Sequence, residues 1–171
     1  QLRFEINYEQ ELFKLYEEIK NKTYKVGKSI AFIINKPVQR EIFAASFRDR
    51  VVHHLIFNYI NPILEPQFIQ DSYSCRTGKG TLYGINQANA YLKSVSDNFT
   101  TDAYVLKLDV KGYFMNINKN VLMQKLKNRT SKETFEALIR TRTLNKIEED
   151  IDYDTLFYVL NEVVFNNPVL N

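Results

Sequence analysis

A single cysteine, Cys75, stands among 171 residues, so no internal disulfide can form and the chain reads as one from a reducing, cytoplasmic compartment. Glycine and proline are scarce, five and four residues, which excludes a collagen-like repeat, and no Gly/Ser-rich stretch marks a flexible linker. Apolar runs are only a few residues long. Nothing is therefore expected to span a membrane, and the opening QLRFEINYEQ lacks the basic and apolar regions of a signal peptide. Methionine is missing before Met115, and the chain runs from Gln1 to a polar NNPVLN; the expectation is a piece of something longer. What remains is 44% hydrophobic and 25% charged, a composition that can enclose a core and is too apolar for intrinsic disorder.

Charge is unevenly distributed. The net charge is only +3, yet between residues 20 and 80 ten lysines and arginines face four acids, whereas residues 147–171 hold six acids and no base. A basic front and an acidic end suggest one surface that faces phosphate and one that does not, or simply solvated faces.

Periodicity outlines the elements. EQELFKLYEEIKNK places Leu12, Leu15, Tyr16 and Ile19 at helical spacing. SIAFII and REIFAA are short extended pieces that can pair as a hairpin around KPVQ. A helix opens near Ser46, where Ser46-Phe-Arg-Asp49 is a capping signature, carries Val52, Leu55, Ile56, Tyr59 and Ile63 on one face, and ends at Pro62 and Pro66. FIQDSYSCRTGKGT is a loop, and Ile85, Ala88, Leu92 and Val95 mark a helix from about residue 81 to 94. AYVLKLDV is the strongest strand signal, with Tyr104, Leu106, Leu108 and Val110 on the face expected to be buried, although no strong sheet partner for it is visible. Asn118 caps a helix from about Lys119, Thr130-Ser-Lys-Glu133 caps another, and Leu156, Val159, Leu160, Val163 and Val164 form the stripe of a last one.

Several residues could carry chemistry. Asp109 closes the strand on the face opposite its apolar one, just before Lys111-Gly112. A carboxylate there can hold Mg²⁺, because a rigid strand fixes the oxygens; it can equally be a turn-forming aspartate. Arg76-Thr-Gly-Lys79-Gly-Thr fails the P-loop pattern, since Tyr73 stands where a glycine is needed and Gly80 where Ser or Thr is needed. It remains either an anion-contacting loop or an ordinary glycine loop. Lys36 and Arg40 flank the hairpin turn, suited to phosphate but also to plain solvent exposure. His53 and His54 are neighbours on a helix and diverge by about 100°, the wrong geometry for joint metal ligation. Both read as structural, one of them facing the core.

Two segments, KPVQREIFAASFRDRVVHHLIFNYINPILEPQFIQDSYSCRTGKGT and YVLKLDVKGYFMNIN, resemble the N-terminal part of a bacterial retroelement reverse transcriptase. The first is similar to the fingers blocks, with a basic hairpin, a D-R-hydrophobic helix, a P-x-x-E-P-x-F turn and an S-Y-x-x-R loop. The second is similar to the first palm motif, D-x-x-x-[FY]-F-x-x-I. The likeness covers about residues 30 to 125. It implies an α+β fold: mostly helical fingers (residues 1–100) with a short β-hairpin, then the first strand and helices of a right-hand polymerase palm (residues 101–171).

The same resemblance implies an RNA-directed DNA polymerase, a nucleotidyltransferase using two Mg²⁺ ions, an RNA template, a DNA or RNA primer and deoxynucleoside triphosphates. Asp109 becomes the first catalytic metal ligand and the carbonyl of Val110 the second contact. Phe114 takes the position whose ring excludes a ribose 2′-hydroxyl. Lys36, Arg40 and Arg76 become nucleotide-binding cations, while Arg48, Arg50 and Lys79 are candidates for the template backbone. The loop Ser72-Tyr-Ser-Cys-Arg76-Thr-Gly-Lys79-Gly departs from the S-x-G-F-R-P-G-R of group II intron enzymes and looks closer to diversity-generating or related, defence-associated types. The family's Y-x-D-D motif does not occur within the 171 residues, so the rest of the palm and the thumb are expected elsewhere in the same chain, and this piece alone is expected to be inactive. The alternatives are a non-catalytic nucleic-acid-binding module and a template-independent nucleotidyltransferase of the same fold.

Overall fold

The computed structural model describes residues 2–37, 39–143 and 151–166. Its architecture is mixed: helices and one two-stranded antiparallel sheet. Two compact units are distinguished, one of residues 1–64 with 115–171, the other of residues 65–114. The boundary expected between residues 100 and 101 lies inside the second of these.

In the first unit, α1 (Leu2–Ile6) and α2 (Tyr8–Lys20) precede a hairpin of β1 (Ile30–Ile34) and β2 (Arg40–Ala44). Its register pairs Ile30 with Ala44 and Ile34 with Arg40, which leaves the turn at KPVQ as the spacing predicts. Every residue of β1 is exposed. The hairpin is thus held by its ladder and its root, not by burial.

The long α3 (Phe47–Leu64) is capped as expected: the Ser46 hydroxyl accepts from the Asp49 amide at 3.2 Å and donates to Asp49 Oδ2 at 2.7 Å. Pro62 does not end it. The helix runs on to Leu64 and passes into a 3₁₀ turn, Glu65–Gln67, that contains Pro66. A proline in the last turn forfeits one amide donor but leaves no long downstream helix to disrupt.

Beyond α5 (Tyr113–Asn116), α6 (Lys119–Arg129) starts where the Asn118 side chain accepts from the Val121 amide at 3.1 Å. For α7 (Lys132–Thr143) the cap is Ser131, whose hydroxyl accepts from the Thr134 amide at 3.3 Å. Thr130, expected in that role, is fully buried and donates to the Leu126 carbonyl at the end of α6 instead. Asp152 caps α8 (Tyr153–Phe165), accepting from the Thr155 amide at 2.6 Å. The core gathers residues from five helices: Leu15 and Ile19 of α2, Val52 and Ile56 of α3, Met123 of α6, Phe135 of α7, and Val159 and Leu160 of α8. The acidic end is not one solvated face, because Glu162 is buried and receives the Lys25 ammonium at 2.9 Å.

The second unit is different. Its helix α4 (Thr81–Val95) spans the predicted residues, yet none of them is buried, and Ile85 and Val95 of the predicted stripe are exposed. Residues 102–110 form no ladder, since the described residues contain only the β1–β2 sheet. The strand expected there, with Tyr104, Leu106, Leu108 and Val110 buried, is corrected on this point. Tyr104 is 92% and Leu108 80% exposed. Alternation sets which side chains share a face, but a face is buried only when another element covers it.

The element that ties the first unit together is Asp49, one of its few buried charges. Its Oδ1 accepts the Tyr24 hydroxyl at 2.7 Å, and its Oδ2 accepts the Gly27 amide at 3.1 Å besides the Ser46 hydroxyl. The close approach requires glycine at position 27, where a Cβ would lie 2.9 Å from Oδ2. Tyr24 is itself fully buried, its carbonyl accepts the Tyr158 hydroxyl of α8 at 2.8 Å, and burial together with the Asp49 carboxylate pushes its phenol far above the ordinary tyrosine value. Arg48 stacks over the Tyr24 ring with its guanidinium carbon 5.1 Å from the centroid, and pairs with Glu18 of α2.

The two histidines diverge as expected. His54 is exposed, while His53 Nε2 is buried with no hydrogen-bond partner among the described residues. Desolvation lowers the His53 pKa below 6.5, against an opposing pull from Asp49 and with a smaller push from His54.

Two predictions arise from this unit. Asp49→Ala leaves the Tyr24 hydroxyl and the Gly27 amide without an acceptor in the interior and should cost about 2–4 kcal/mol. Urea unfolding checks it, and a loss below about 0.5 kcal/mol would refute the anchoring role. For His53 the folded state holds the proton less tightly than the unfolded one. Stability is therefore complete above the unfolded pKa of 6.5 and declines as pH falls below it. The urea midpoint should drop between pH 7.5 and 5.5, and His53→Leu should flatten that drop; an equal drop in the variant would show that another group is responsible.

Candidate nucleic-acid interface

The candidate residues are distributed over both units, and the structure gives each a distinct setting. In the first unit Lys36 sits exposed at the hairpin turn, preceding Pro37 through a cis peptide bond. Arg40 opens β2 opposite Ile34. Arg48 is only a quarter exposed and is spent on Glu18, on the Lys25 carbonyl at 3.4 Å and on the Tyr24 ring. Arg50, next but one along α3, is exposed with its guanidinium 5.3 Å from the Phe47 ring centroid. Two arginines that look alike in sequence thus differ: one is built into the fold and the other projects outward.

In the second unit the S-Y-x-x-R loop is ordered by its own cations. Arg76 Nε donates to Glu65 Oε1 at 2.7 Å, and its Nη1 donates to the carbonyls of Ile69 and Ser72 at 2.9 and 3.0 Å. The guanidinium also lies 5.5 Å from the Phe68 ring centroid. Its side chain is 10% exposed, so the arginine closes the loop onto the P-x-x-E-P-x-F turn before any ligand is considered. Lys79 donates to the Gln70 carbonyl and lies over the Tyr83 ring. Gly78 and Gly80 adopt positive φ of 72° and 149°, conformations that an L side chain rarely takes. A Cβ at either would meet nothing within 4 Å, so the loop backbone there is open to an approaching group.

Asp109 ends the extended run exposed to solvent, and Val110 after it is 65% exposed. Gly112 turns the chain with φ 61°, and α5 begins at Tyr113, placing the carboxylate at the junction of an extended run and a helix. Phe114 lies within α5; its side chain is outside the described residues. As a Mg²⁺ site this is incomplete. Among the described residues no three His, Cys, Asp or Glu side chains come together as a metal set, and one carboxylate with one carbonyl falls short of the octahedron that Mg²⁺ demands.

Asp49 and Glu65 are the functional-looking residues that motif reading passed over. Asp49 was visible only as a helix cap, although a capping acid beside an arginine, with a tyrosine and a glycine upstream, was the available signal. Glu65 belongs to the turn motif, but its pairing with Arg76 depends on the loop folding back over 11 residues. An open apolar groove of about 690 Å³ lies between α2, α3 and the start of α8, lined by Leu12, Leu15, Val51, Leu55, Tyr59 and Ile151 among others. None of the candidate residues lines it. No described helix is long and apolar enough to cross a membrane.

Comparison with known proteins adds no relative to this geometry: no protein-family model matches the chain, and a search of curated proteins finds no match.

Proposed function

We propose that the chain is the fingers and the beginning of the palm of a reverse transcriptase, an RNA-directed DNA polymerase that extends a primer on an RNA template with deoxynucleotides. The observation that carries this reading is the surrounding of Asp109. An exposed carboxylate ends an extended run and is followed by a left-handed glycine and a helix, which leaves its oxygens accessible to a cation. The exposed Lys36 at a hairpin turn and the loop carrying Arg76 and Lys79 add to it.

In this reading Asp109 would help to hold Mg²⁺, which would supply charge neutralisation for nucleotidyl transfer to a primer 3′-hydroxyl. Asp109 contributes one carboxylate. The other oxygens belong to a Y-x-D-D segment that these residues do not include. Lys36 and Arg40, on an exposed hairpin, meet the triphosphate as cations. Arg50 reaches backbone phosphates, whereas Arg48 acts through the packing of Tyr24 and Glu18. Arg76 keeps the loop closed, and it is the loop as a unit, with its open Gly78 and Gly80 backbone, that faces nucleotide and template. Phe114 excludes the 2′-hydroxyl. Such a protein holds an RNA-containing duplex by shape and phosphate contacts, not by base sequence.

The 171-residue chain should bind an RNA/DNA primer–template hybrid with an affinity that falls as salt rises, and should not extend it. Fluorescence anisotropy and a primer-extension gel measure the two. When the segment is joined to the Y-x-D-D carboxylates in one protein, Asp109→Asn should lower extension by about a hundredfold or more and leave hybrid binding within about twofold. Full extension by the Asp109→Asn protein would overturn the assignment. Binding with no extension even by the joined protein would favour a non-catalytic binding module, and extension without a template would favour a template-independent enzyme.

A further inference from the structure

The loop of the second unit is fastened to α4 by a polar cluster that the motif comparison does not assign. The Asp71 carboxylate accepts the Tyr73 hydroxyl at 2.6 Å and, from α4, the Tyr91 hydroxyl at 3.0 and 2.9 Å to its two oxygens. The Tyr73 ring packs closely on Gly84 of α4. A Cβ there would stand 3.1 Å from Tyr73 Cδ2 and 3.3 Å from Cγ, so a side chain would crowd the ring and make it shift. Tyr83, one residue earlier on the helix, holds the ring from another side with centroids 5.8 Å apart. Lys79 closes the far end of the loop by donating to the Gln70 carbonyl, next to Asp71.

The charge state suits a permanent fastening. Two phenol hydroxyls hold the Asp71 carboxyl below its ordinary value, aided by Lys79, and the same hydrogen bonds push Tyr73 up to about 12 and raise Tyr91. The carboxylate is thus charged and both phenols neutral throughout the physiological range. The pairing is present above the unfolded Asp pKa of 3.8 and is lost only as pH falls through the depressed folded value. Because α4 buries none of its residues, this cluster contributes little to a hydrophobic core, and exposed polar contacts add little global stability. Its effect is local: it restricts the conformations of the Ser72–Lys79 loop.

We propose that Asp71, Tyr91 and Gly84 are positioning residues that hold the Ser72–Lys79 loop, closed by Arg76, against α4, so that Lys79 and the Gly78–Gly80 backbone meet the phosphates of nucleotide and template in one prearranged conformation. This rests on the polymerase reading above. A loop with two glycines at positive φ is costly to order at the moment of binding, and a loop already fixed avoids that cost.

The test uses the 171-residue chain with Asp71→Asn, Tyr91→Phe, Gly84→Ala and the double variant Asp71→Asn/Tyr91→Phe, together with Asp71→Glu as the rescue. Trypsin cleavage after Arg76 and Lys79, followed by mass spectrometry, reads the loop without any assumption about function. Anisotropy of a labelled RNA/DNA hybrid reads binding, and circular dichroism reads the fold. Asp71→Asn and Tyr91→Phe should each speed cleavage and weaken hybrid binding about tenfold, the scale of one charge-assisted hydrogen bond, and Gly84→Ala, which crowds the Tyr73 ring, should move both the same way, with helix content unchanged. The double variant should add little to either single one, and Asp71→Glu should recover most of both effects. Unchanged cleavage in all three single variants would refute the fastening itself. Faster cleavage with unchanged hybrid affinity would refute the positioning role while leaving the polymerase reading intact. Failure of the unsubstituted chain to bind the hybrid would instead remove that reading, and the positioning role with it.

Discussion

A buried carboxylate is tolerated only when its oxygens are satisfied, and Asp49 meets that condition by drawing donors from three places: the Tyr24 hydroxyl, the Gly27 amide and the Ser46 hydroxyl. The rest of the first unit depends on this arrangement. Tyr24 follows α2, Gly27 leads to the hairpin, Ser46 opens α3, and the Tyr24 carbonyl takes a hydrogen bond from Tyr158 on α8. Helix packing alone could bring α2, α3 and α8 together, since apolar stripes are not directional. Hydrogen bonds to one carboxylate are directional, and they decide where the chain between α2 and α3 must run.

That geometry fixes the hairpin at its root and leaves it free elsewhere. β1 is exposed along its whole length, and so is Lys36 in the turn. The arginine next to the anchor, Arg48, is drawn inward over Tyr24 toward Glu18. Of the described candidate cations of the first unit, Arg48 is therefore structural, while Lys36 and Arg50 are exposed.

The second unit is organised by polar contacts. Arg76 joins Glu65 to two loop carbonyls, Asp71 joins two tyrosines, and Gly84 leaves room for the Tyr73 ring to approach α4 closely. Its apolar residues, by contrast, remain uncovered on α4 and along residues 104–110. In the polymerase reading this division has a use: the elements that meet nucleic acid are held by groups that tolerate water, and the apolar ones are held back for the remainder of a palm.

Local signals were legible wherever a side chain answers a need of its own backbone. The caps at Ser46 and Asn118 and the hairpin around KPVQ follow from short-range donor and acceptor matching, so a reading of residues suffices for them. Even the displaced cap at Ser131 is an error of one position. Beyond that range the residues alone could not decide. Alternation in AYVLKLDV determined which side chains share a face, but not that the face would stand in solvent, because burial is a property of the neighbour. The letters also could not separate Arg48 from Arg50, or reveal that Arg76 turns back on Glu65, since the same guanidinium serves a phosphate or a carboxylate with the same donors. The sequence by itself determined the longer helices and the caps at Ser46 and Asn118. Only the tertiary structure decided which charges are consumed within the fold and which are left to meet a ligand, because that depends on what the folded chain brings within hydrogen-bonding distance.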